Sequence, residues 1–136
     1  MGDIRVEMLT NQEPRFYSIL GPYLSRREIV AELGFPVYDD PGKIWFVAMD
    51  NNQVAGFVGL RLRREKAIFC SDYVRPEYRG QHIYDRLMTE RIAFVTGKAL
   101  MAAAVVTKVG RHAYERHGFT VTRERRNYTD MSRSLS

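Results

Sequence analysis

The sequence predicts a single α/β domain in which a mixed β-sheet of about seven strands is flanked by about four helices. Three observations lead to this prediction. The chain has 136 residues, 45% hydrophobic and 27% charged, which is enough for one globular core. No internal repeat or linker divides residues 1–136. The predicted order of elements is β-α-α-β-β-β-α-β-α-β-β, which contains a strand-helix-strand unit typical of parallel pairing.

The first part of the chain is predicted to hold one strand and two helices. Apolar and charged residues alternate over 3–9, which is typical of a strand. Two Ser/Thr-x-x-Glu capping boxes predict a helix over 11–20 and a second helix between Ser25 and Gly34. Two prolines and a Pro-Gly pair then predict a loop over 35–43.

Three strands are predicted next. Those at 44–49 and 53–62 are joined by Asp50-Asn51-Asn52, which favours a hairpin. The charged run 63–66 predicts a second turn. The stretch 67–74 is rich in residues that favour strands and is predicted to be the third.

The strand-helix-strand unit follows. Residues 75–80 contain Pro76 and Gly80 and end the strand, and apolar residues recur at helical spacing over 81–95. The uncharged run 99–106 is typical of a strand covered on both faces. A short helix and two strands are predicted to close the domain, at 108–117, 119–124 and 127–132.

Composition excludes several classes of site. The one cysteine, Cys70, excludes an internal disulfide and a multi-cysteine zinc site, and we expect no metal. The N-terminal segment carries acids where an export signal needs an apolar core, and no apolar run approaches the roughly 20 residues that span a bilayer. We therefore expect a cytoplasmic protein without a membrane partner, either a monomer or a homodimer.

The net charge indicates an anionic ligand. Lys and Arg number 21 against 16 acids, which gives +5 and a pI near 9.6. Such a balance suits either a phosphorylated small molecule or a nucleic acid. The turn between strand 67–74 and helix 81–95 is the best candidate for the first, because helix N-termini present unpaired N–H groups and a partial positive charge.

Two motifs resemble the GNAT superfamily of N-acetyltransferases. The segment Val74-Arg75-Pro76-Glu77-Tyr78-Arg79-Gly80-Gln81 is similar to the acetyl-CoA-binding segment of that family. The segment Tyr114-Glu115-Arg116-His117-Gly118-Phe119 is similar to its Tyr-Glu-x-x-Gly-Phe motif. The motifs occur in the family's order, and the predicted elements also resemble the family's fold across nearly the whole chain.

The resemblance implies acetyl-CoA as co-substrate and a small-molecule or protein amine as acceptor. It further implies that the strand pairs its backbone with the pantetheine arm and that the turn holds the diphosphate. The cofactor-binding residues implied in this way are Tyr73, Val74, Arg79, Gly80, Gln81, His82, Ile83 and Tyr84. His82 and Tyr84 replace the two signature glycines. We expect binding to survive, because the donors are main-chain N–H groups, and a non-glycine residue is accommodated if the turn has ordinary negative φ values. A CoA-binding fold without catalysis is a further possibility.

Two residues are predicted to be catalytic. Tyr114 matches the family's tyrosine that protonates the departing CoA thiolate. Asp72 is out of character in an apolar strand, which predicts either a general base with a pKa raised by burial or a salt bridge with an arginine. Cys70 is predicted to share a strand face with Asp72 and to be a core thiol.

The resemblance implies an acceptor site opposite the cofactor, built largely from the first two helices, their loop and the C-terminal strands. The candidate residues in these parts are Tyr23, Phe35, Tyr38, Asp39, Asp40, Trp45 and 123–128. The alternative interpretation of these segments is a polar loop and a solvated hairpin turn. A second functional hypothesis comes from the basic runs 61–64 and 123–126. If both formed one surface, the protein would be a nucleic-acid-binding module or an enzyme acting on a nucleic-acid amine.

Overall fold

The computed structural model describes residues 3–24, 26–33, 39 and 41–136. In this part of the chain the strands are β1 (Ile4–Leu9), β2 (Ile44–Asp50), β3 (Gln53–Arg63), β4 (Lys66–Val74), β5 (Met101–Thr107), β6 (Thr120–Glu124) and β7 (Tyr128–Ser134). The helices are α1 (Phe16–Leu20), α2 (Arg27–Leu33), α3 (Ile83–Val95) and α4 (Arg111–Arg116), with 3₁₀ turns at Gly21–Tyr23 and Pro76–Tyr78. None of the helices among these residues has the length and apolar content to cross a membrane.

One mixed sheet contains all seven strands, in the order β1-β2-β3-β4-β5-β7-β6. β4 and β5 run parallel and are connected through α3, while the other neighbours are antiparallel. The predicted fold class is therefore confirmed.

Each face of the sheet has its own apolar core. Because side chains alternate along a strand, Trp45 and Val47 of β2 face one side while Phe46 and Ala48 face the other. The first face packs against α1 and α2, and the second packs against α3 and α4. Leu87 of α3 lies fully buried in the second core.

The first helix begins later than predicted. Thr10 and Glu13 form a separate turn, in which the Gln12 N–H bonds the Thr10 hydroxyl at 3.3 Å and the Glu13 N–H bonds the Thr10 carbonyl at 3.1 Å. Pro14 has no N–H with which to continue a helix from this turn. Helix α1 therefore starts at Phe16 instead of residue 11.

A bulge in β4 reverses the expected side-chain alternation. Gly59 pairs with Cys70 and Phe57 with Tyr73, so one residue is inserted in β4. Ser71 takes up the extra length with φ +60°, in the left-handed region. Asp72 consequently faces α3, whereas Cys70 lies on the other face, where its Sγ is 4.0 Å from Arg61 Nη1. The predicted shared face of Cys70 and Asp72 is therefore wrong.

Candidate active site

A cleft opens where the two parallel strands separate. The ladder between β4 and β5 runs from the pair Lys66–Met101 to the pair Phe69–Ala104, and the strands diverge beyond it. A cavity of about 800 Å³ lies at this point. The end of β4, the end of β5, the start of α3 and one face of α4 form its walls. The cleft is thus built by the strand-helix-strand unit, which carries the first motif, and by α4, on which the second motif begins.

The turn at the start of α3 retains a glycine-like backbone. Gly80 has φ +78°, and His82, which caps α3, has φ +63°. The condition of a negative φ is therefore not met at His82, which adopts the left-handed conformation that glycine tolerates best. The imidazole is 89% exposed and points away from the protein interior. The helix N-terminus behind it borders the cleft.

Charged side chains surround this turn. Arg79 donates from Nε to the Val74 carbonyl at 2.9 Å and pairs with the Glu32 carboxylate of α2. Gln81 Nε2 donates to the Glu77 carbonyl at 3.3 Å. Of the predicted diphosphate residues, Arg79, Gly80, His82, Ile83 and Tyr84 line the cleft, and Arg79 is held by protein partners.

Asp85 links α3 to α4 beside this turn. Its Oδ1 lies 2.8 Å from His117 Nε2 and accepts a hydrogen bond from Arg116 at 3.0 Å. These contacts lower the pKa of Asp85 below its ordinary value, and the hydrogen bond with His117 makes the largest contribution. The link fixes the first turn of α3 against the end of α4.

Tyr73 and Val74 point to opposite faces of β4. The Tyr73 ring lies 5.7 Å from that of Phe57 on the α1 side, and the Arg79 guanidinium lies 5.7 Å from its centroid. Burial raises the pKa of Tyr73 above its ordinary value. Val74 packs against the α3 core. The backbone between them lines the cleft, as the predicted pairing with pantetheine requires.

A hydrogen-bonded cluster forms the inner end of the cleft. Asp72 accepts hydrogen bonds from the Tyr114 hydroxyl at 2.6 Å and from the Tyr84 hydroxyl. Arg91 of α3 binds the same carboxylate with two N–H groups, at 2.8 and 2.9 Å. Loss of solvation and the charge of Asp72 raise the pKa of Tyr114 and of Tyr84 above the ordinary value. Of the two roles predicted for Asp72, the structure forms the salt bridge.

Arg91 was not among the predicted site residues. It is fully buried, and its guanidinium carbon lies 4.0 Å from the centroid of the Phe69 ring. The signal was present in the sequence, because Arg91 falls at helical spacing from Leu87 and Met88 on the apolar stripe of α3. An arginine on a buried stripe requires a buried anion, and Asp72 is that anion.

The acceptor candidates are only partly brought together. Asp39 accepts hydrogen bonds from Trp45 Nε1 at 3.2 Å and from Asn11 Nδ2 at 3.0 Å. Trp45 is fully buried, and Tyr23 packs edge-on against Phe57. The other three loop candidates lie outside the described residues: Phe35, Tyr38 and Asp40.

The two basic runs do not form one surface. Lys66, at the turn after residues 61–64, pairs with Met101 at the start of β5. Tyr128, at the turn that contains residues 123–126, pairs with Thr107 at the end of β5. Strands rise about 3.3 Å per residue, so the runs are separated by about 20 Å along the sheet. Moreover, Arg125 is paired with Asp130 at 2.9 Å.

Comparison with known proteins identifies the family. A family model described as acetyltransferase (GNAT) domain matches residues 41–121. No curated protein sequence matches the chain significantly.

Solved structures match over nearly the whole chain. The PaiA N-acetyltransferase of Thermoplasma acidophilum, in complex with coenzyme A, is 17% identical with a TM-score of 0.74, over 97% of this chain and 99% of that one. The ribosomal-protein-S18-alanine N-acetyltransferase of Escherichia coli is 17% identical with a TM-score of 0.74, and the match covers 98% of this chain and 95% of that one. A GNAT family acetyltransferase of Elizabethkingia anophelis, with acetyl-CoA bound, is 17% identical with a TM-score of 0.68, and the match covers 96% of this chain and 97% of that one. At this identity the structural likenesses show the fold alone.

Proposed function

This chain belongs to the GNAT acetyltransferase family, and from that premise we propose that it transfers an acetyl group from acetyl-CoA to a primary amine. The observation that carries the proposal is the cleft between β4 and β5. A helix N-terminus borders its mouth, and a tyrosine hydroxyl lies at its inner end. The acceptor is proposed to be the amine of a small molecule or of a protein.

The residues of the cleft fit acetyl-CoA. A cavity of about 800 Å³ falls within the range of about 300–1,000 Å³ that is usual for cofactor sites. At Gly80 an added Cβ would meet nothing within 4 Å, so the backbone is open to a close ligand. Helix N-termini bind phosphate groups well. Residues 79–84 would hold the diphosphate, and the backbone of Tyr73 and Val74 would pair with the pantetheine arm.

The proposed chemistry is direct attack of the amine. Acetyl-CoA supplies the thioester, whose C–S bond breaks with the electron pair leaving on sulfur, while the amine nitrogen forms the new C–N bond and loses one proton to water. The protein must then stabilise the negative charge on sulfur. Tyr114 is the residue that we assign to this task.

We give Tyr114 the role of a hydrogen-bond donor to the sulfur. The resemblance implies complete transfer of the phenol proton, but the pKa of Tyr114 is raised above 10.0 by burial and by Asp72. A thiol has a pKa of about 8.5, so complete transfer from the phenol to the thiolate is uphill. A hydrogen bond stabilises the thiolate without that transfer.

Calorimetric titration with acetyl-CoA, followed by an assay of thiol release with a panel of amines, tests the proposal. We expect one-to-one binding and amine-dependent release of CoA. Binding without turnover for any amine would instead indicate a CoA-binding protein without catalysis. Absence of binding would remove the proposed function.

Gly80→Ala supplies a sharper test, with Gly97→Ala as its matched control. Both glycines have positive φ, and at both an added Cβ would meet nothing within 4 Å. Each substitution is therefore expected to cost about 1–2 kcal/mol of backbone strain. Only Gly80 borders the cleft, so Gly80→Ala is expected to weaken acetyl-CoA binding about 10-fold or more, which corresponds to about 1.4 kcal/mol. Equal dissociation constants for the two variants would argue against the assigned phosphate turn.

A further inference from the structure

The Asp72 carboxylate, at the inner end of the cleft, accepts hydrogen bonds from two other side chains besides Tyr114. Asp72 Oδ2 accepts from the hydroxyls of Tyr114 and Tyr84 and from Arg91 Nη2, while Oδ1 accepts from Arg91 Nη1. Arg91 Nη1 also donates to the Gly59 carbonyl at 2.9 Å, which anchors the guanidinium to β3. The carboxylate is therefore held from α3, from α4 and, through Arg91, from the sheet.

The two tyrosines donate to the same carboxylate oxygen. Each phenol has one proton to donate, and in this structure both protons are directed to Asp72. When Tyr114 turns its O–H toward another acceptor in the cleft, Asp72 loses one donor. Tyr84 and Arg91 still satisfy the carboxylate, so this rotation does not leave a buried charge without partners.

The oxygen of Tyr114 is also held. Arg91 Nη2 lies 3.3 Å from Tyr114 Oη, and the ring packs edge-on against Phe119 with centroids 4.9 Å apart. These contacts fix the position of the Tyr114 ring, while the O–H bond can still rotate to direct its proton to a different acceptor. The arrangement suits a donor that must change its acceptor during a reaction.

We propose that Arg91, Asp72 and Tyr84 are positioning residues, which hold Tyr114 in the cleft and let its hydroxyl exchange Asp72 for the departing sulfur. This inference rests on the proposed acetyltransferase function. The groups that face Tyr114 are Asp72 from β4 and Arg91 and Tyr84 from α3. Asp72 keeps the phenol protonated, Arg91 balances the charge of Asp72, and Tyr84 remains as a donor to Oδ2 when the Tyr114 hydroxyl turns away.

Asp72→Asn tests the electrostatic part. The substitution leaves the Arg91 charge unbalanced beside Tyr114, and a positive charge favours the ionised phenol. We expect the pKa of Tyr114 to fall, which would add an alkaline limb to the pH profile of kcat that the wild type lacks. The tyrosinate absorbance of the free protein, followed as the pH rises, provides a second readout that needs no cofactor. Subtracting the titration curve of Asp72→Asn/Tyr114→Phe from that of Asp72→Asn isolates the contribution of Tyr114.

Tyr84→Phe tests the exchange. We expect kcat to fall about 10- to 100-fold, the usual effect of losing one hydrogen bond to a charged group, with acetyl-CoA affinity unchanged because the backbone is kept. Thr96→Val is the control. It removes a side-chain hydrogen bond at the other end of α3, from Thr96 Oγ1 to the Ile92 carbonyl at 2.8 Å, and should leave kcat near the wild-type value.

The outcomes separate this inference from the proposed function. Failure of the wild type to bind acetyl-CoA would remove the function, while the tyrosinate titration of the free protein would still test the cluster. If Asp72→Asn fails to fold, two other variants test the inference. The Asp72→Asn/Arg91→Met variant loses both charges and should fold, because it leaves no buried unpaired charge. Tyr84→Phe is the second variant. A merely structural role predicts lower stability with an unchanged tyrosinate titration and an unchanged kcat for Tyr84→Phe, and that result would overturn the inference.

Discussion

His82 holds a backbone conformation that costs free energy. Its φ of +63° lies in the left-handed region, which disfavours L-residues other than asparagine and aspartate by about 1–2 kcal/mol. Glycine avoids this strain but loses about 0.5–1 kcal/mol through its more flexible unfolded state. His82→Gly is therefore expected to raise the free energy of unfolding by up to about 1 kcal/mol. Urea denaturation at an unchanged m-value measures the difference.

Asn51 provides the control for this substitution. Its φ is +56°, and asparagine tolerates the left-handed region because its short side chain can bond locally. Asn51→Gly should therefore change stability less than His82→Gly does. A destabilised His82→Gly protein would mean that the exposed imidazole stabilises the fold more than its backbone strain destabilises it.

At the scale of elements, Asp85 joins the first turn of α3 to the end of α4. Its pKa is lowered by the contacts with His117 and Arg116, so its folded pKa lies below its unfolded value of about 3.9. The stability that it contributes is thus fully present above that value and is lost as the pH falls through the folded pKa. Because the side chain is 34% exposed, screening limits the contribution to less than about 1 kcal/mol.

Asp85→Asn is accordingly expected to lower the free energy of unfolding by less than about 1 kcal/mol at neutral pH, with the difference vanishing as the pH falls through the lowered folded pKa of Asp85. Denaturation curves of both proteins across this pH range measure the effect. Glu90→Gln, an exposed change of charge on the same helix, is the control. A deficit that is independent of pH would mean that Asp85 acts through packing and not through its charge.

The strands and helices were largely predictable from the sequence, because each is marked by local features. Alternation marked β1, and the apolar stripe with its following glycine marked α3. The late start of α1 was not predicted, because Thr10 and Glu13 form only a separate turn, which Pro14 does not continue into a helix. The bulge at Ser71 was not predicted either. It depends on how β4 pairs with β3, and pairing register is not a local property.

The sequence motifs single out part of the candidate site, but they do not reveal the part that long-range contacts build. Arg79, Gly80 and Tyr114, which the motifs contain, all line the cleft. The role of Asp72 depends on Arg91, which is 19 residues away in the sequence and on a different element. Such a pair becomes visible only once the bulge has turned Asp72 toward α3.

At the scale of the whole molecule, the two basic runs do not form one surface in the part of the chain that the structure describes. The runs at 61–64 and 123–126 lie at opposite ends of the sheet, and Lys108, Arg111 and Arg125 are paired with carboxylates. Nucleic-acid binding proteins instead concentrate unpaired Lys and Arg on one face. The charge distribution therefore favours a compact anionic ligand in the cleft over an extended polyanion.

Thermal unfolding distinguishes these two classes of ligand in one experiment. The cleft depends on the arrangement of β4, β5, α3 and α4, so a ligand bound there stabilises the domain as a unit. Acetyl-CoA at about 100 times its dissociation constant should contribute about 2.7 kcal/mol, which for a domain of this size raises the Tm by about 8–13 °C. A single-stranded oligonucleotide of equal charge is expected to produce a shift of less than about 2 °C at physiological salt, since only weak, screened contacts are available to it. A larger shift with the oligonucleotide, declining steeply as salt is added, would reverse the assignment and make nucleic acid the ligand of this fold.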